Sequence, residues 1–121
     1  MKATVYQYVL DRLDEVIPYV WDRLIFSAEE DAASYTYVFY IRSNGTYTQC
    51  YSIPGISREQ LREAFRDIRK ALVEARSEND IWNEMTLVVD GDGHFKAAFD
   101  YTDLAEGTDD YEAQWRKKYL I

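Results

Sequence analysis

The residues best suited to chemistry lie in one run, DGDGHF from Asp90 to Phe95, which holds the only histidine of the chain, His94. Asp90 and Asp92, two apart, match the opening of a twelve-residue calcium loop. That loop needs an oxygen ligand at its fifth place, glycine at its sixth and a bidentate acid at its twelfth. Those places hold His94, Phe95 and Tyr101. A zinc centre needs three or four converging His, Cys or acidic ligands, and neither CxxC nor HxxxH occurs. No metal and no cofactor is expected. Gly91 and Gly93 read instead as a tight hairpin that places His94 at an edge or on the surface.

Carboxylate pairs such as Asp100 and Asp103 could serve acid/base chemistry. Such work needs one carboxyl with a raised pKa in a cleft, and acid pairs are inevitable in a chain with 22 acidic residues. No GxSxG, P-loop or GxGxxG pattern is present. Cys50 stands alone, so an internal disulfide is impossible, and its place in TYTQCYSI suits a small core residue in a reducing compartment. An enzyme is not expected, although a small one working through surface carboxylates stands as an alternative.

The charge is the stronger signal. Between Asp90 and Glu112 eight acids face one base, Lys96, a balance of −7 within a chain of net charge −8. This field repels phosphates and argues against direct nucleic-acid binding, and it attracts a basic partner. Acidic loops also serve solubility alone. Eleven tyrosines add side chains that pack through a ring and keep a polar tip, as interfaces require.

These residues must be positioned by one domain, since 121 residues suffice for a core without staples. Val5, Tyr8, Val9, Leu13, Val16 and Ile17 predict a first helix that ends before Pro18. RLIFSAEE and SYTYVFYIRS predict strands, with a turn at 31–33. Asn44-Gly45 predicts a hairpin into TYTQCYSI, and Pro54-Gly55 ends that strand. Ser57 and Gln60 form a capping box, with Ile56 and Leu61 as a staple. The helix behind them buries Leu61, Ala64, Phe65, Ile68, Ala71, Leu72 and Ala75. Its other face (Arg58, Glu59, Arg62, Arg66, Asp67, Arg69, Lys70) reads as a solvated surface with local ion pairs, too mixed in sign for a phosphate site. EMTLVVD and HFKAAFDY predict two more strands. Thr108 or Asp109 caps a last helix in which Tyr111, Trp115 and Tyr119 share a face. The expectation is α+β: a single antiparallel sheet of about five strands, helices mainly on one face, in the order α-β-β-β-α-β-β-α. If one sheet face stays open, aromatics such as Tyr40 and Tyr47 lie on it.

Taken over nearly its full length, the chain resembles the YezG-like immunity proteins, which include the EsaG-type antitoxins. The likeness rests on EVIPYVW after the first helix, FYIRSNGTY, SREQLREAFRDIRKAL, IWNEMTLVVDGDGHFKAAFDYTDL and the closing WRKKYL. The resemblance implies a cytoplasmic antitoxin that neutralises a toxin of the same bacterium, commonly a nuclease domain exported by type VII secretion. Nuclease domains are usually basic, which is what the −7 segment would attract. The mechanism expected on this reading is stoichiometric occlusion without catalysis. The absence of an export signal or of an apolar run of membrane-spanning length agrees with a cytoplasmic location.

By charge position alone the expected partner contacts are Asp92, Asp100, Asp103, Glu106, Asp109 and Asp110, with Tyr40 and Tyr47 as aromatic contributors. The other readings are the small enzyme and a homodimeric module that buries its tyrosine face against its own copy.

Overall fold

Val9, Leu13 and Val16 recur at helical spacing and all are buried, so the first helix, α1 (Ala3–Val16), rests one face in the core. It stops two residues before Pro18, which disfavours helix in its predecessor. The computed structural model describes residues 3–31, 34–101 and 108–121. After α1 come β1 (Arg23–Glu30), β2 (Tyr35–Ser43), β3 (Thr46–Gln49), α2 (Arg58–Asn79), β4 (Glu84–Asp90), β5 (Phe95–Asp100) and α3 (Thr108–Tyr119). The five strands form one antiparallel sheet in the order β3-β2-β1-β4-β5, so the expected class and element order are both present.

The central strand, β1, sets the register. Phe26 lies opposite Phe39 of β2 and Leu87 of β4, with Leu24 and Ala28 in matching rows on either side. These side chains point to the inner face, where α1 and α2 cover them. Because strand side chains alternate, Ile25, Ser27 and Glu29 must point to the outer face. Asn44 and Gly45, with φ of 53° and 78°, make the β2–β3 turn that their types demand. Ser57 Oγ accepts from Gln60 N at 3.2 Å and starts α2 where the capping box places it. The segment TYTQCYSI behaves differently from its strand expectation beyond Gln49. A 3-10 turn over Cys50–Ser52 drops Cys50 fully into the core, and burial pushes its thiol pKa up.

Two of the three helices lie on the inner face, and Arg12 of α1 bonds Asp67 of α2 at 3.0 Å across their contact. The third, α3, crosses the outer face. Trp115 is buried there against Ile25 and Tyr40, with Tyr119 and Leu120 at its edge. No helix among the described residues is long and apolar enough to cross a membrane.

Candidate interaction surface

The acidic segment opens on the β4–β5 hairpin. Gly91 donates its N–H to Asp22 O at 2.9 Å, and a Cβ there would sit 3.3 Å from the Asp22 backbone, so a side chain would crowd this close approach. Asp92 accepts from His94 N at 3.0 Å and pairs with His94 Nδ1 at 2.8 Å. Both side chains are largely exposed. The hydrogen bonds from His94 hold the Asp92 carboxyl below its ordinary range, and Asp92 raises the imidazole. The pair closes a turn, and among the described residues no three His, Cys, Asp or Glu side chains are grouped to hold a metal ion.

At the other end of β5, about 20 Å away along the strand, lies a different arrangement. The register aligns Glu29 of β1 with Glu84 of β4, and Glu84 with Asp100 of β5. Three carboxyls thus stand side by side across the outer face. Like charges directly opposite on a sheet oppose each other. Glu84, the middle member, is only 3% exposed. Desolvation lifts its pKa to about 7; Thr86 and Ser27 hydrogen bonds pull it down, and Glu29 and Asp100 push it up. Ser27 Oγ donates at 2.9 Å and Thr86 Oγ1 at 2.6 Å to the same carboxyl oxygen. Glu29 is raised by burial and by Glu112 and Asp31.

The start of α3 caps this row. Tyr111 hydrogen-bonds Asp100, and its hydroxyl pKa is raised by burial and by Glu84 and Asp100. Trp115 Nε1 donates to Thr86 Oγ1 at 2.8 Å. Two clefts flank the helix. One of about 340 Å³ includes Glu29, Asp31 and Glu112; the other, of about 220 Å³, includes Glu84, Asp100 and Lys118.

The expected contacts therefore separate into groups. Asp100 and the exposed Asp110 share the end of the sheet where α3 begins. Asp103 and Glu106 lie outside the described residues. Asp109 falls in the first turn of α3, past the cap position expected of it, and its side chain is likewise outside the description. Asp92 sits at the opposite end, on the same end as the β2–β3 hairpin and Tyr47. Tyr40 is buried under Trp115, with ring centroids 5.9 Å apart. Tyr47 is half-buried, and its hydroxyl donates to Ile121 O at 3.1 Å. The tyrosine face expected to be open is thus covered by α3. Sequence reasoning missed Glu29 and Glu84. The available signal was strand parity, because Glu84 alternates in phase with Thr86 and Val88, and Glu29 with Ile25 and Ser27.

A sequence model of the family described as "Immunity protein YezG-like" matches residues 3–120. The protein called Immunity protein YezG in Bacillus subtilis (strain 168) is 29% identical over 129 residues, covering 96% of this chain and 85% of that protein. Its namesake in Bacillus spizizenii (strain ATCC 23059 / NRRL B-14472 / W23) is 24% identical over 112 residues, covering 83% of this chain and 68% of its own length.

Proposed function

The chain belongs to the YezG-like immunity protein family, and we propose that it binds a cognate toxin and silences it by stoichiometric occlusion, without turnover. The toxin is a basic domain, a nuclease by preference, met in the cytoplasm before export by a type VII system. The observation that carries this reading is the concentration of charge: a segment with a balance of −7 runs through the β5 end and the start of α3. Low-dielectric walls and a shared sign focus such a field and speed encounter with an opposite charge. Asp100 and Asp110 anchor the contact, with Asp103, Glu106 and Asp109 in the same run. Asp92 belongs to a second, smaller contact at the hairpin, beside Tyr47. Tyr40 contributes by seating α3.

The enzyme reading finds one supporting observation, the Glu84 carboxyl with a pKa of about 7. Its hydrogen bonds go to Ser27 and Thr86 within the sheet, and it shows only 3% of its surface at the bottom of the cleft beside α3. That is the setting of a group that positions an element rather than one that meets a substrate.

Co-expression with the toxin encoded beside it, followed by purification and a nuclease assay, tests the proposal. Inhibition should saturate at a fixed molar ratio and weaken with added salt. Inhibition by catalytic amounts, or no association even in dilute buffer, would refute it.

A further inference from the structure

The acidic end has a counterpart of opposite sign on the other side of β2. Arg58, Arg62, Arg66 and Lys70 follow one another at intervals of four along α2, so all four lie on one stripe of that helix. Like charges at this spacing work against a helix, and here there are four in succession. Arg66 has Asp67 at 3.7 Å. Among the described residues, Arg58, Arg62 and Lys70 make no ion pair. Glu59, Glu63 and Asp67 form a neighbouring stripe of opposite sign, so the two signs are sorted onto adjacent faces of the helix and the basic one borders the groove.

The stripe forms one wall of a groove of about 1020 Å³. Its floor is aromatic. Tyr35 meets Tyr37 edge-on, Tyr37 meets Phe65, and Phe65 meets Tyr51, with centroids 6.1, 6.4 and 6.5 Å apart. Tyr35, Tyr51 and Val73 are exposed large hydrophobics. Arg69 lies across the upper end, its guanidinium 3.7 Å from the centre of the Tyr35 ring, held there by both oxygens of Glu30.

We propose that this groove is a docking site for a short carboxylate-bearing peptide segment of a partner protein, with an apolar side chain on the aromatic floor and acids on the Arg58–Arg62–Lys70 wall. Guanidinium groups engage carboxylates through paired N–H donors, and exposed aromatics beside them favour an apolar anchor. Nucleic acid fits less well. The chain carries a net charge of −8, Glu74 lines the groove, and Tyr35 is shared with the cleft holding Glu29, Asp31 and Glu112. A polymer charged at every residue meets that repulsion along its length, whereas a peptide with a few carboxylates can set them on the cationic wall and keep them off Glu74. The cationic wall stands on α2 and the toxin-facing acids on β5 and α3, so either reading can fail alone.

The test uses a fluorescein-labelled peptide of alternating Glu and Leu around one Phe, its Gln-for-Glu version, and a single-stranded oligonucleotide of equal length. Anisotropy should rise with the Glu peptide and stay flat with the other two. Arg62→Glu combined with Lys70→Glu changes only exposed residues without ion pairs, and circular dichroism verifies its fold. It should weaken peptide binding by about tenfold or more. Asp110→Lys with Glu112→Lys should leave peptide binding in place. The proposal is overturned if the Glu peptide fails to bind, if the Gln peptide or the oligonucleotide binds as well, or if the groove variant binds like the parent.

Discussion

Trp115 Nε1 lies 2.8 Å from Thr86 Oγ1, and through that hydroxyl the last helix is tied to the buried carboxyl of Glu84. Thr86 accepts from the indole and donates to the carboxylate, so one side chain links α3 to the acid row. Its removal orphans a buried indole N–H and one acceptor of Glu84. Thr86→Val should therefore destabilise the fold by about 2 kcal/mol. Urea unfolding followed by tryptophan fluorescence measures this. A loss under about 0.5 kcal/mol would show that the chain of hydrogen bonds holds nothing.

Glu84 makes stability depend on pH in a defined direction. Its folded pKa, about 7, stands above the ordinary 4.5. The folded state therefore binds the proton more tightly than the unfolded chain. The stabilisation is complete below about pH 4.5 and is lost as pH rises towards 7, on the order of 3 kcal/mol in all. Glu29 shifts in the same sense and Asp100, Tyr111 and Glu112 face the same row, so the measured slope belongs to the group. Glu84→Gln keeps an acceptor for Ser27 and Thr86 and removes the charge. It should flatten the dependence of Tm on pH between 5 and 8 and exceed the parent in stability at pH 8. An unchanged slope would assign the dependence elsewhere.

This row explains which parts of the molecule were legible beforehand. The start of α2 rests on Ser57 and Gln60, and the β2–β3 turn on Asn44 and Gly45; each is decided by neighbours within four residues. The inner face was legible too, because Phe26, Phe39 and Leu87 each repeat their strand's alternation. The cover over Tyr40 was not, since it depends on where the chain returns after β5. The alignment of Glu29, Glu84 and Asp100 was hidden for a related reason. It is a property of register between strands far apart in sequence, and local pattern carries parity without carrying register.

Arg69 and Tyr37 together satisfy Glu30, which is 4% exposed. Arg69 reaches its two oxygens at 3.0 and 3.1 Å, and Tyr37 donates at 2.6 Å. Arg69→Met leaves a buried carboxylate with one partner. Arg69 is itself partly open to solvent, so the loss should be about 2–3 kcal/mol, below the range for fully buried pairs. Arg69→Lys should recover little, because one ammonium cannot span both oxygens and also lie on the Tyr35 ring. Thermal unfolding of the three proteins at low and high salt decides it. Full rescue by lysine would reduce the contact to simple charge.

The toxin-facing reading makes its sharpest prediction in rates. Long-range attraction acts before contact, so exposed acids at the start of α3 should govern association, while packed residues govern release. Asp110 and Glu112 are exposed, and neither lies in the core. Asp110→Lys with Glu112→Lys changes the net charge by +4, from −8 to −4. Against the proposed basic toxin, the variant should associate about tenfold more slowly at low ionic strength, with a modest change in dissociation. At about 0.5 M salt the two association rates should converge, because the Debye length falls below the reach of the field. Stopped-flow mixing across a salt series reads both quantities. Parallel salt dependence in parent and variant would place the contact away from this end of the sheet and leave the charge of the segment to solubility.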